Sequence, residues 1–141
     1  MRLAALATLL ALLLVCALPA GAERVKSFGP YQVHYNAFSS GFLSPEVARD
    51  YGILRSRTRG VLVVSVHEEG RPVRARVQAQ TVDGSDNTRI TMREVRTNGE
   101  PLYVGSFKVD DGQNLRFDIA VAPEGGGEPL AVRFQQQFFA D

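Results

Sequence analysis

The chain is poor in the residues that usually carry cross-links or chemistry. Its single cysteine, Cys16, rules out an intramolecular disulfide, so the stability of its 141 residues has to come from a hydrophobic core. Two histidines, His34 and His67, and one methionine beyond the initiator, Met92, are too few for a soft or imidazole-rich set of metal ligands. Neither His-Glu-x-x-His nor Gly-x-Ser-x-Gly occurs, and Ser39-Ser40-Gly41 and Gly105-Ser106 lack the glycines that flank a nucleophile elbow. The acidic pairs Glu68-Glu69 and Asp110-Asp111 fall where turns are expected, as solvated charge. These absences predict no catalytic residue, no metal site and no cofactor, so the chain is read as a non-enzyme.

An excess of charge of one sign is missing too. Of the sixteen basic residues one, Arg2, lies in the N-terminal leader, which leaves fifteen against fifteen acidic ones. A nucleic-acid binder normally shows a basic excess, so that class is excluded. Lysine is nearly absent, with only Lys26 and Lys108 beside fourteen arginines. The longest apolar run, Leu3 to Leu18, is sixteen residues and is followed by Pro19, short of the roughly 20 that a spanning helix requires. An integral membrane protein is therefore not expected.

What that run does form is an export signal. Met1-Arg2, the apolar middle and the small-x-small exit Ala20-Gly21-Ala22 match a secretory leader with cleavage after Ala22. The expected organisation is a signal peptide over 1–22 and one domain over 23–141, delivered to the periplasm. Cys16 does not read as a lipobox cysteine, because Val15 stands where a small residue belongs. The 119 residues left after cleavage are enough for one ordinary domain, which buries about two thirds of its unfolded surface.

From Pro30 onward apolar residues recur with period two in segments bounded by Gly, Pro, Asn or Asp, the pattern of an antiparallel β fold. Tyr31, Val33, Tyr35 and Ala37 share one face of a first strand and leave Gln32, His34 and Asn36 on the other. Val61 to Val66 is apolar on both faces, as suits a central strand. Further strands are predicted over 73–81, 88–96, 102–109, 115–122 and 130–139. Glu69-Gly70, Asp83-Gly84, Asn98-Gly99, Asp111-Gly112 and Gly125-Gly126-Gly127 read as hairpin turns. One segment departs from this pattern: Ser44 as N-cap, Pro45 at the first helical position, Glu46 in the first turn and Gly52 as a stop predict a short helix. The expectation is an all-β antiparallel sandwich of about seven strands with one short helix.

The most distinctive polar cluster is Tyr31 to Asn36 with Phe38 and Phe42 close behind. Tyr31, His34, Asn36, Phe38, Phe42 and Tyr51 are the candidate residues for binding a ligand or partner, set against the plainer reading that the tyrosines fill the core. Arg55, Arg57 and Arg59 alternate ahead of the valine-rich strand, and Arg74 and Arg76 do so on the next. A hairpin across Glu69-Gly70 would align them as a basic stripe; the plainer reading is a solvated face balanced by acids such as Glu68 and Glu94.

The run Phe28-Gly29-Pro30-Tyr31-Gln32-Val33-His34-Tyr35-Asn36-Ala37-Phe38 is followed by Phe42-Leu43-Ser44-Pro45-Glu46-Val47-Ala48 and Tyr51-Gly52-Ile53. Near the end come Pro123-Glu124-Gly125-Gly126-Gly127 and Arg133-Phe134-Gln135-Gln136. With these the sequence resembles the exported bacterial family of domain of unknown function 4426. The resemblance implies an envelope location and an Ig-like β-sandwich, and it brings no activity, cofactor or catalytic residue.

Two functions follow from different classes. One is an accessory module that docks an envelope protein, with Gln135 to Phe139 as a candidate edge for an added strand. The other is a binder of a small ligand, lipid or carbohydrate, in a site lined by Phe38, Phe42 and Tyr51 and oriented by His34 and Asn36. A small hydrolase with His34 as base ranks third.

Overall fold

The computed structural model describes residues 24–139; the leader, its cleavage point and Cys16 lie outside the described residues. Among these residues the chain forms ten strands: β1 (Arg24–Phe28), β2 (Tyr31–Ser39), β3 (Arg59–Glu68), β4 (Arg71–Pro72), β5 (Ala75–Asp83), β6 (Asp86–Ile90), β7 (Arg93–Thr97), β8 (Glu100–Lys108), β9 (Asn114–Pro123) and β10 (Leu130–Gln137). The one α-helix among the described residues, α1 (Pro45–Tyr51), follows a 3-10 turn over Ser40–Phe42. One antiparallel sheet runs β1-β2-β3-β8-β7, with β4 paired to β3, and the second runs β10-β9-β5-β6.

The two sheets face each other across one core. Val33, Leu62, Val64, Val66, Tyr103 and Phe107 come from the six-stranded sheet, and Ala79, Phe117, Ile119, Val121, Val132 and Phe134 from the four-stranded one. Each valine, leucine, isoleucine or phenylalanine among them contributes roughly 1.5–3 kcal/mol when taken from water. Phe117, fully buried, stacks on Phe134 with ring centroids 4.8 Å apart and meets Phe107 edge-on at 4.9 Å. The expected antiparallel sandwich with one short helix is what forms.

Three sequence expectations need correction. The predicted strand over 88–96 is two strands in different sheets, β6 and β7, because the chain crosses the sandwich at Thr91-Met92. Asp111-Gly112 is not a hairpin turn: it carries the chain from β8 in one sheet to β9 in the other. The arginine stripe does not form either. After Glu69-Gly70 the chain pairs with β3 for two residues only, His67 with Pro72 and Glu68 with Arg71, and then crosses to the second sheet. Arg74 is instead balanced by acid, as the plainer reading held, and its partner is Glu94, 3.0 Å away. The sequence reading also missed β1, whose residues Arg24 to Phe28 are mostly polar and exposed.

The connection from Ser39 to Arg59 is the one long excursion within a sheet. It folds over the outer face of the six-stranded sheet as a flap with its own small core: Leu43, Ala48 and Ile53 of the flap pack on Val61 of β3 and Val104 of β8. The central strand is thus covered on both sides, which accounts for its doubly apolar sequence.

Candidate functional site

The flap is held by polar contacts that its sequence supplies. Ser44 Oγ accepts a hydrogen bond from the Val47 amide at 3.2 Å, Pro45 opens the helix, and Gly52, at φ 67°, closes it in the left-handed region that favours glycine. The Ile53 amide then donates to the Ala48 carbonyl at 2.8 Å. Arg93, from β7, donates to the Tyr51 carbonyl, placing a cation where the helix presents unpaired acceptors. Ser40 is fully buried at the base of the flap, where its Oγ both donates to the Ser56 carbonyl and accepts from the Ser56 amide, each at 2.9 Å. Arg55 donates to the Gly41 carbonyl at 3.2 Å and so joins the two arms of the flap.

The six candidate residues divide among four environments. His34 and Asn36 share the outer face of β2, opposite Ser65 and Val63 of β3. Phe38 and Tyr51 are half-buried in the flap core, and Tyr51 also lines a cavity of about 410 Å³ with Val47, Asp50, Val95, Arg96 and Thr97. Phe42 stands 71% exposed at the end of the 3-10 turn. Tyr31 is separated from all of these: it shares the inward phase of Val33 and packs against the main core, its hydroxyl near Gly125 at one end of the sandwich. The structure therefore does not assemble the six residues into a single pocket.

Three contributors were not identified in the sequence. His67 lies beside His34, diagonal to it across the β2–β3 pairing, with ring centroids 4.5 Å apart and planes at 84°. Leu54 is 70% exposed on the second arm of the flap. Arg93 braces the helix end. Alternation marks His67 as an outer-face residue, but nothing in the sequence sets the register between β2 and β3. Among the described residues no three His, Cys, Asp or Glu side chains are grouped to hold a metal ion.

A second polar cluster ties the sheets together. Arg74 forms a forked pair with Glu94, Nε to Oε1 at 3.0 Å and Nη2 to Oε2 at 3.3 Å, and approaches Glu124 at 3.8 Å. The Tyr103 hydroxyl donates to Glu94 at 3.2 Å and accepts from the Ala75 amide at 2.8 Å. The bond from Arg74 holds the Glu94 carboxyl below the usual carboxylate range, and the same bond raises the Arg74 guanidinium. Burial pushes the Tyr103 phenol up. These groups satisfy one another, and the arrangement is a clamp between the sheets.

At the sandwich edges, β10 is an outermost strand, as the sequence suggested for Gln135 to Phe139. Phe138 is buried in the main core, however, and Gln136 donates to the Ala37 carbonyl of the opposite sheet at 2.6 Å. Beside this edge Lys26 reaches the Ala131 carbonyl at 3.4 Å and the Arg24 guanidinium lies 4.9 Å from the Phe134 ring, a cationic guard of the kind that blunts exposed edges. Among the described residues no helix is long and apolar enough to cross a membrane.

The family model named DUF4426, a domain of unknown function, matches residues 25–141. A crystal structure of a DUF4426 family protein from Pseudomonas aeruginosa PAO1 is 33% identical, covers 84% of this chain and 96% of that one, and superposes with a TM-score of 0.76. A copper-bound variant of FetP from uropathogenic Escherichia coli strain F11 shares the fold at 12% identity, covering 85% of this chain and 97% of its own, with a TM-score of 0.63. Its as-isolated counterpart, also 12% identical, gives 88%, 97% and 0.61. No curated protein matches the sequence. The family model spans nearly all of the described sandwich and the Pseudomonas structure repeats its fold, so the chain belongs to the DUF4426 family.

Proposed function

We propose that this protein is exported through its leader and serves in the periplasm as a non-enzymatic interaction module of the envelope, docking a partner protein on the flap side of its six-stranded sheet. The observation that carries the reading is the exposure of two large apolar side chains on the flap, Phe42 at 71% and Leu54 at 70%. The Arg55 to Gly41 bond draws together the arms that bear them. A few anchors supply most of the binding energy at protein interfaces, and aromatic side chains such as Phe42 are enriched there. Beneath the flap Leu43, Ala48, Ile53, Val61 and Val104 pack into a small core beside the cavity at Tyr51, and the two exposed anchors favour docking on top of the flap over a small ligand held beneath it. The copper of the FetP structure belongs to that protein, since likeness at 12% identity speaks of fold alone.

The test is photo-crosslinking of the 23–141 protein in its native envelope, compared with a Phe42→Ser, Leu54→Ser double variant. The expected result is a protein partner captured by the wild type and lost in the double variant, with stability changed by no more than about 0.5 kcal/mol because both side chains are exposed. Equal capture by both proteins, or no partner above background, would overturn the docking surface.

A further inference from the structure

The outer face of the four-stranded sheet carries a shallow trough that runs across all four strands. Its volume is about 840 Å³, and it is lined by residues 131–133 of β10, 118–120 of β9, 77–80 of β5 and 89–92 at the end of β6 and just past it, with Lys26 at one end. The strand registers explain the shape. Ala131, Ala120 and Gln78 form one transverse row, leading to Thr91, and two of its side chains are single methyl groups, so the backbone itself forms the floor. The next row is Arg133, Asp118, Gln80 and Arg89, whose longer side chains stand as a rim.

The charge on this face is unbalanced in a molecule that is balanced as a whole. In the four strands the outward positions hold Arg76, Arg89, Arg116 and Arg133 and a single carboxylate, Asp118. That carboxylate is already occupied. Arg133 donates to one oxygen at 2.8 Å, and Gln80 and Arg116 donate to the other at 3.4 and 3.3 Å. Burial opposes its ionisation, but these bonds and the adjacent guanidiniums hold its carboxyl below the usual range. Arg76 and Arg89 have no ion-pair partner among the described residues.

We propose that this trough binds an extended acidic peptide segment of a partner protein. The surface lies on the opposite side of the sandwich from the flap, and the inference does not depend on the docking reading above. Arg133 and Arg89 end the same row, three strand spacings or roughly 14 Å apart, a span that an extended chain covers in about four residues. Carboxylates at that separation would meet a guanidinium at each end, where forked hydrogen bonds favour them. The amides of Gln78 and Gln80 offer donors and acceptors to the peptide backbone between them. The trough lacks the aromatic rings on which sugars or bases stack and the large apolar side chains that enter a bilayer, which favours a peptide over a glycan, a nucleic acid or a lipid surface.

The experiment is fluorescence anisotropy at low salt with a labelled Gly-Ser peptide bearing glutamates at the derived spacing, beside an isosteric glutamine peptide. Cosedimentation with phosphatidylglycerol vesicles is measured in parallel. The protein is 23–141 as wild type, Arg89→Ser, and Ala120→Trp, which fills the floor without removing charge. Saturable binding of the glutamate peptide that falls roughly tenfold in each variant, with thermal melts unchanged, supports the proposal. Binding weakened by Arg89→Ser but untouched by Ala120→Trp would reduce the trough to diffuse surface charge and overturn it. Vesicle binding without peptide binding would reassign the face to a membrane, and no binding of either probe would also overturn the proposal.

Discussion

The two sheets of this sandwich share one core and treat their outer faces in opposite ways. The six-stranded sheet carries a flap that buries Val61 and Val104 from outside, whereas the outer face of the four-stranded sheet is a polar surface of arginine, glutamine and alanine. The sequences of the strands follow from that difference. A strand covered on both sides, β3, is apolar at nearly every position from Val61 to Val66, and strands covered on one side, β9 and β10, alternate strictly. The number of faces that a strand buries is therefore written in its composition.

The comparison can be broken most severely from the shared core. Phe117→Ala empties a fully buried site in contact with Phe107, Phe134 and Phe138, and should destabilise both sheets together by about 3–5 kcal/mol in urea unfolding. A cooperative loss seen equally by probes on either sheet is the expected outcome; loss confined to one sheet would deny that the core is common to them. Ser40→Ala should act on one side only. It leaves the Ser56 amide and carbonyl without their buried partner, costs about 1–3 kcal/mol and raises amide exchange in the flap more than in β9 or β10. Uniform exchange throughout the molecule would show that the flap is not a separate cooperative unit.

The smallest expected effect concerns the clamp between the sheets. The Glu94 carboxyl is depressed in the folded state by its bond to Arg74, so the unfolded chain takes up the proton more readily than the folded one. The stability due to this group is complete above the ordinary glutamate pKa of about 4.3 and is lost as the pH falls through the lower folded value. Glu94→Gln should therefore shrink the difference in stability between pH 7 and pH 3. An acid limb unchanged by the substitution would remove Glu94 from the account of acid sensitivity.

Much of the architecture was legible in the sequence because period-two alternation and turn chemistry act locally. The helix limits at Ser44 and Gly52 were legible because a cap, a first-turn proline and a left-handed stop are local signals as well. What could not be read depends on which sheet a strand joins. Asp111-Gly112 has hairpin chemistry whether or not the flanking strands pair. The split between β6 and β7 did leave a trace: Ile90 and Met92 keep one phase of the alternation and Val95 takes the other, so a single strand could not bury all three on one face. The candidate site was less legible. Tyr31 was grouped with His34 through sequence proximity, yet adjacent phases of a strand point to opposite faces. The approach of His34 and His67 depends on the register between β2 and β3, which a long flap connects in place of a tight turn, so no turn rule supplies it.

The order in which the chain fills its sheets has a kinetic consequence. The first four strands belong to one sheet, β5 and β6 to the other, β7 and β8 return to the first and β9 and β10 to the second. The six-stranded sheet stays in two pieces until β8 arrives to join β3 to β7, and the four-stranded sheet has no centre until β9 arrives. The pairings that complete the two sheets, β3 with β8 and β5 with β9, join distant parts of the sequence, which makes for slow, late folding. A polypeptide organised in this way has neither sheet complete, and no shared core to bury, until its final strands are available.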